Sequence, residues 1–305
     1  MRNHPDDLAY REGLVGSYQR LGNFYRHTFR FDKAAAEYRR ALPLAENLVT
    51  DQPARPEFRA ILAQTFLRLA DQLSRLAQFD EAEHALGRWQ EIAERLVADF
   101  PDVPSYRNQL ALGSLQRGSM EAQRGRNGGA RAAFERAYEI QKSLVTGYPD
   151  LTRYRVSLGW ICYSAAVDFA TLNGREARDG TRARELALEA VAIEPQEAGY
   201  WKGLALAEYS AGDLDAALKA ATKSLEIQKS NGYRYHWLIL ALIHLERGDR
   251  EQARAWAERL LRDVAPGSWS GGEPDFVRLA RESEGRLRAL LPPEPRRSED
   301  RPKLE

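Results

Sequence analysis

Val145 to Arg155, which reads Val-Thr-Gly-Tyr-Pro-Asp-Leu-Thr-Arg-Tyr-Arg, carries a pattern that recurs along the chain. A valine is followed four residues later by a proline at Val49/Pro53, Val97/Pro101, Val145/Pro149 and Val191/Pro195. An aromatic residue and an arginine stand five residues after a proline at Tyr10-Arg11, Phe58-Arg59, Tyr106-Arg107 and Tyr154-Arg155. The prolines of this pattern, Pro5, Pro53, Pro101, Pro149 and Pro195, are 48, 48, 48 and 46 residues apart. A period of this length indicates an array of similar structural units.

Each unit contains two sets of apolar residues at helical spacing. In the first unit these sets are Leu14, Tyr18, Leu21, Tyr25 and then Ala34, Tyr38, Ala41, Ala45, Leu48. Adding 48 to Leu14 gives Leu62, Leu110 and Leu158, and adding 48 to Gly22 gives Ala70, Gly118 and Ala166. Because side-chain size is kept together with polarity, the pattern predicts a stack of helical hairpins with an all-α fold. Cys162 repeats the slot of Tyr18 and Phe66, which predicts a core position.

After Pro195 the units become shorter, and the same residue types recur at matching positions in two consecutive copies. One copy carries Trp201, Leu204, Ala205, Gly212, Asp213 and Ala217, and the next carries Trp237, Leu240, Ala241, Gly248, Asp249 and Ala253. This spacing resembles the tetratricopeptide repeat, with departures at Glu208, His244, Ser224 and Leu260. The resemblance covers about residues 5–265 and is strongest over 196–262. Adding roughly two turns to each helix of the 34-residue family unit gives the longer period of the first four units.

The resemblance implies a right-handed α-solenoid whose first helices line a concave surface for a protein or peptide partner. We predict about six hairpins, four of them elongated over 5–195 and two of ordinary length over 196–265. A capping helix is expected over 273–291 and a disordered tail over 292–305. Helices are predicted over 152–172 and 181–193. Tight bends are predicted at Phe31-Asp32, Phe79-Asp80, Asn127-Gly128-Gly129 and Asn173-Gly174.

Composition narrows the classes of function. The chain has 45 Lys and Arg residues and 44 Asp and Glu residues, so its net charge is close to zero. A protein without a large positive charge is not expected to bind nucleic acid. The longest apolar run, Trp237 to Ile243, is too short for membrane insertion, and the N-terminus lacks a signal peptide, so a cytoplasmic location is expected. A single cysteine excludes an internal disulfide. The five histidines form no pair at metal-ligand spacing, and we expect no metal, no cofactor and no catalysis.

Two sets of residues are candidates for partner binding. The recurring arginines Arg11, Arg59, Arg107 and Arg155 either form a ladder that recognises acidic groups or tie loops and pair with a glutamate of the neighbouring hairpin. The second set lies beside the core stripe of each first helix and becomes apolar toward the fourth unit, at Leu112, Leu115, Val156, Trp160, Tyr163 and Val167. These side chains form either a partner groove or the packing against the shorter fifth unit. Exposure of Trp160 and Tyr163 distinguishes the two.

The sequence therefore predicts a non-catalytic interaction scaffold. Similar arrays with a proline and an aromatic-arginine pair are attached to bacterial serine/threonine protein kinases, so one alternative is a recruiting segment of a larger signalling protein. A second alternative is a self-assembling repeat whose uncapped N-terminal edge is the interface. The clamp with which some family members hold a C-terminal carboxylate is not expected, because Lys202/Leu206 and Leu238/Leu242 lack its asparagines.

Overall fold

The computed structural model describes residues 8–172, 178–229, 234–262, 264–267, 269 and 274–291, and within them it contains thirteen α-helices and no strand. The helices are α1 (Leu8–His27), α2 (Phe31–Asp51), α3 (Pro56–Arg75), α4 (Phe79–Asp99), α5 (Pro104–Gln123), α6 (Asn127–Gly147), α7 (Thr152–Thr171), α8 (Gly180–Ile193), α9 (Ala198–Ala211), α10 (Leu214–Gln228), α11 (Arg234–Glu246), α12 (Arg250–Leu261) and α13 (Pro274–Arg288). The predicted bend at Asn173-Gly174 and the predicted tail 292–305 lie outside the described residues.

Consecutive helices form antiparallel pairs, and each pair packs on the next. Six hairpins, α1/α2 to α11/α12, therefore make the predicted α-solenoid, and α13 packs against α11 and α12 at its C-terminal end. The capping helix also reaches back to α7, which the sequence did not indicate. The predicted helices of the fourth unit are close to α7 and α8.

The recurring prolines lie in the turns that join one hairpin to the next. In these turns Arg55 N donates to Gln52 O, Val103 N to Phe100 O and Leu151 N to Tyr148 O, each at 3.1 Å. The following helix begins three residues after the proline. The fixed φ of proline suits the second position of such a turn, so the period of the prolines is the period of the inter-hairpin turns.

The bends inside the hairpins lie earlier than predicted. Phe31, Phe79 and Asn127 begin α2, α4 and α6 instead of marking the turns. The chain reverses at Phe29, Ala77 and Gly125, which all have positive φ (57°, 59° and 73°) and are spaced by 48 residues. The residue after each of them donates its N–H back to the first helix, as Gln78 N does to Leu73 O at 2.8 Å. Sequence reasoning missed this turn because phenylalanine and alanine rarely adopt positive φ.

The small residues that recur in the first helices lie where the two helices of a hairpin cross. A Cβ atom added at Gly22 would lie 2.7 Å from the Tyr38 ring, and one added at Gly118 would lie 2.3 Å from the Phe134 ring. The aromatic ring of the second helix thus packs directly on the backbone of the first. Leu62, Leu110 and Leu158 are buried, and Cys162 is buried in the core as predicted. Burial raises the pKa of the Cys162 thiol far above its ordinary value.

Candidate partner-binding groove

Two adjoining cavities lie on the face formed mainly by α1, α3, α5 and α7, the first helices of units one to four. The first cavity, of about 280 Å³, is lined by Arg26, Gln64, Leu67, Arg68, Asp71, Trp89, Gln109, Leu112, Leu115, Gln116 and Trp160. The second cavity, of about 320 Å³, is lined by Asp71, Arg75, Leu115, Gln116, Ser119, Gln123, Trp160, Tyr163, Ser164, Val167, Asp168 and Lys202. Four residues line both cavities, namely Asp71, Leu115, Gln116 and Trp160. We call the two cavities together the groove.

Trp160 stands at the junction of the two cavities. Its side chain is 50% exposed, although indole rings are among the side chains that gain most from burial. On one side its ring contacts Tyr163, with ring centroids 5.6 Å apart. Trp160 belongs to α7, which is packed between neighbouring helices, so the position of its ring is fixed. The exposed part of the ring presents apolar surface to the groove.

Tyr163 is held mainly by the fifth unit. Its ring stacks on Tyr200 with centroids 5.5 Å apart and planes 30° apart. A Cβ atom added at Gly203 of α9 would lie 2.7 Å from the Tyr163 ring, and the Lys202 ammonium lies 5.8 Å from its centroid. Tyr163 therefore packs against α9 and also lines the second cavity, whereas Trp160 lines both cavities and is half exposed.

The other predicted apolar residues have unequal roles. Leu115 and Val167 are buried and line the floor of the groove, and Leu112 is half-buried in the first cavity. Val156 is exposed on α7, one turn before Trp160, and lines neither cavity. The floor is thus apolar and fixed, and Trp160 provides most of its accessible aromatic surface.

The four recurring arginines differ in whether they form an ion pair. Arg11 donates to Asp51, and Arg59 donates to Asp99, each at 2.6 Å. Each partner is the last residue of the second helix in the same hairpin. For these two arginines, the prediction of a glutamate from the neighbouring hairpin is therefore wrong. The position 40 residues after Arg107 is Gly147, and the position 40 residues after Arg155 is Pro195.

Arg107 and Arg155 consequently form no ion pair within the part of the chain that the structure describes. Neither lines the groove. Their proposed role in binding an acidic group therefore stays a prediction, separate from the apolar face.

Charged residues of the groove were not anticipated from the sequence. Asp71 accepts hydrogen bonds from Arg75 Nε and Gln116 Nε2, both at 3.1 Å. Asp168 accepts from Ser119 Oγ at 2.7 Å and from Arg278 of α13 at 3.5 Å. The capping helix therefore borders the second cavity. Two of these contacts join residues about one repeat apart, so the period of the sequence suggests that such pairs exist. Which pairs make contact depends on the direction of the side chains, and the sequence does not give that direction.

The tetratricopeptide repeat family model matches residues 15–48, which lie in α1 and α2. The first hairpin therefore matches a tetratricopeptide repeat, and the described helices as a whole form an α-solenoid. The match falls in the first unit, whereas the sequence pattern had placed the strongest resemblance over 196–262. The comparison with curated proteins gave no match. Among the described residues, no helix is long and apolar enough to span a membrane.

Several solved structures are similar to this chain. PilW, a widely conserved type IV pilus biogenesis factor, is 15% identical with a TM-score of 0.49, over 83% of this chain and 95% of PilW. The RpL4 assembly chaperone Acl4 is 17% identical with a TM-score of 0.49, over 94% and 98% of the two chains. A thermophilic tetratricopeptide repeat protein from Thermus thermophilus is 21% identical with a TM-score of 0.42, over 75% and 98%. At such low identities and TM-scores, these similarities carry no argument about partners.

Proposed function

We propose that the chain is a protein-interaction scaffold that binds a peptide or an extended segment of another protein in the groove. The observation that carries this proposal is the half-exposed Trp160 at the junction of two cavities. Interface residues that contribute most to affinity are enriched in tryptophan and lie in pockets from which water is excluded. A segment that lies across the groove would bury the free face of the indole ring against its own apolar side chain.

The cleanest test is a single substitution, Trp160→Ala. We expect this variant to lose partners that the wild-type protein captures from its native lysate, by tenfold or more for an anchor that contributes about 2 kcal/mol. The double variant with Tyr163→Ala would be harder to interpret, because Tyr163 also holds α7 against α9.

Leu188→Ala is the matched control. Leu188 is 48% exposed on α8 and lines neither cavity of the groove. Partners that disappear with Trp160→Ala and remain with Leu188→Ala support the groove. Equal capture by wild type and Trp160→Ala would move the binding site elsewhere on the molecule.

A second candidate function is self-association through the N-terminal edge. Tyr10, Leu21, Phe24 and Phe29 are all exposed on α1 and the turn after it. Phe58 and Leu69, the counterparts of Tyr10 and Leu21 in the second unit, are buried in the stack. Sedimentation that shows a dimer, and a monomer for Phe24→Ser, would support this function. A wild-type monomer at high concentration would contradict it.

The hypothesis that the array recruits substrates within a larger bacterial signalling protein stays a prediction. An open reading frame that continues in frame upstream of Met1 would support it. A stop codon immediately upstream would contradict it.

A further inference from the structure

Two arginines that line the first cavity of the groove, Arg26 and Arg68, form no ion pair with a carboxylate of the described residues. Arg68 donates from Nη1 to Asn23 Oδ1 at 2.8 Å, and Arg26 contacts the ring nitrogen Nε2 of His27 at 2.9 Å. The hydroxyl of Tyr38 donates to the same Asn23 oxygen at 2.9 Å. None of these partners is a carboxylate. Across the described ranges, neither Arg26 nor Arg68 pairs with an aspartate or a glutamate.

The carboxylates that line the groove are already occupied. Among the described residues that line the first cavity, Asp71 is the only acidic one, and it accepts from Arg75, Gln72 and Gln116. Asp168, at the far end of the second cavity, accepts from Ser119 and Arg278. The first cavity therefore keeps the net charge of the two arginines at its wall.

This arrangement has an energetic cost in the free protein. Both guanidinium groups are half-buried, and the Nε atom of each is buried without an acceptor. A partly desolvated cation without a counterion is unfavourable, whereas an arriving carboxylate gains charge-assisted hydrogen bonds in an environment of reduced dielectric constant. The remaining wall is apolar or consists of amide side chains, including Gln64 and Gln109, which can pair with a peptide backbone.

We propose that the occupant of the groove is an acidic peptide segment, with an Asp or Glu carboxylate at Arg26 and Arg68 and a neighbouring apolar side chain against Trp160. This inference rests on the proposed function and adds the chemistry of the partner. Arg26, Arg68 and Trp160 line the same cavity of about 280 Å³, so one short segment reaches all three. A cavity of this size admits a few side chains and excludes a folded domain.

The test uses the full chain and synthetic peptides with blocked ends. Four peptide classes combine leucine or alanine at one position with glutamate or glutamine at a second position, over all spacings within one helical turn. We expect the Leu/Glu class to bind best, the Leu/Gln class to bind about tenfold more weakly, and added salt to reduce the difference. Dissociation constants are measured by titration calorimetry.

Variants of the protein assign the preference to its residues. Arg68→Gln should lose most of the preference for Leu/Glu over Leu/Gln peptides, because only Arg26 remains, and Arg68→Lys should keep more of it. Arg95→Gln is the matched control, because Arg95 is exposed on α4 and lies outside the groove. Circular dichroism and the melting temperature verify that each variant is folded.

The outcomes separate this inference from the proposed function. Leucine-dependent binding that is lost in Trp160→Ala but shows no preference for glutamate would overturn the acidic partner and leave the groove in place. Peptide binding that Trp160→Ala does not change would overturn the groove itself. A phosphoserine peptide that binds more tightly than its glutamate counterpart through Arg68 would contradict a carboxylate ligand, and failure of all four classes to bind would overturn the inference.

Discussion

At the scale of single residues, the contact between Trp89 and Gly113 joins two units beside the groove. Trp89 of α4 is buried, and a Cβ atom added at Gly113 of α5 would lie 1.8 Å from its ring. The indole ring therefore packs on the bare backbone of the next unit. Because Trp89 also lines the first cavity, this contact fixes part of the groove wall.

Gly113→Ala should destabilise the protein by about 1–3 kcal/mol, since the ring must move to accommodate the methyl group. Gly87→Ala is the control, because a Cβ at this helical position meets nothing within 4 Å. The control should be neutral or should stabilise the protein by up to ~1 kcal/mol through helix propensity. Urea denaturation gives both values, and a Gly113→Ala variant as stable as Gly87→Ala would show that Trp89 is not confined.

His236 of α11 provides a prediction of pH dependence. Burial, with a smaller contribution from the positive charge of Lys202, lowers the pKa of His236 from 6.5 to about 4. Its Nε2 lies 2.9 Å from Ser224 Oγ, which itself donates to Ala198 O at 2.7 Å. Ser224 has only one proton to donate, so His236 Nε2–H donates to Ser224.

Because the unfolded chain binds a proton on this histidine below pH 6.5 and the folded protein does not until about pH 4, stability is lost as pH falls through that window. The loss should be on the order of 3 kcal/mol. In His236→Gln the dependence between these pH values should flatten, whatever its stability at pH 7. His84→Gln, at an exposed position, should keep the wild-type slope, and identical slopes for all three proteins would refute the assignment.

At the scale of elements, the hairpins differ in whether an ion pair joins the start of the first helix to the end of the second. Arg11 and Arg59 join the start of a first helix to the last residue of the second helix, and the third hairpin has the arginine but not the aspartate. Gly147 occupies the place of the missing aspartate at the end of α6, and a Cβ there meets nothing within 4 Å. An aspartate at this position therefore has both space and a partner, Arg107.

Gly147→Asp should stabilise the protein by about 0.5–1 kcal/mol relative to Gly147→Asn, which controls for helix propensity and side-chain size. The gain should decrease with salt and should vanish when Arg107→Gln is added. Urea denaturation at low and high ionic strength measures it. Equal stability of the Asp and Asn variants would mean that Arg107 does not adopt the position of Arg11 and Arg59.

The order of elements could be predicted from the sequence, but some of their connections could not. The inter-hairpin turns were visible because each contains a proline, whose fixed φ makes the same turn each time. The reversals at Phe29 and Ala77 were hidden because the backbone there adopts a conformation that the stack imposes against local preference. Only Gly125, at the third reversal, has the residue type that such a turn favours.

For the candidate site, apolar periodicity indicated Trp160 and Tyr163, since both lie beside a repeated core stripe. The same pattern could not show that Gly203 leaves room for Tyr163 while Trp160 stays free, because that depends on a contact between units. The positions of Arg26 and Arg68 in the first cavity could not be predicted for a similar reason. Arg68 meets Asn23 across 45 residues, a pairing between successive first helices that the period suggests only once side-chain directions are known.

At the scale of the whole molecule, α13 links two distant parts of the solenoid. Phe276 packs on Tyr235 of α11 with ring centroids 5.4 Å apart, and Arg278 contacts Asp168 of α7. Units of a repeat array normally contact only their neighbours, so a local change stays local. The contact with α7 gives this cap a second anchor in the fourth unit.

Phe276→Ala should therefore loosen α11, α12 and the C-terminal end of α7 while leaving α3 and α4 unchanged. Removal of a buried phenylalanine side chain costs about 3–5 kcal/mol, which is enough to release the cap. Amide hydrogen exchange followed by mass spectrometry measures protection helix by helix. Arg254→Ala, at an exposed position on α12, is the control. Faster exchange confined to α11 and α12 would show that α13 does not stabilise α7.

The position of Trp160 also gives the protein an optical reporter of its own. Of the six tryptophans, all within the described residues, only Trp160 is exposed, whereas Trp89 and Trp269 are almost completely buried. Acrylamide should therefore quench the fluorescence of Trp160 most strongly, and a ligand in either cavity should shield it. Occupancy of the groove can thus be followed in unlabelled protein, before any partner has been identified.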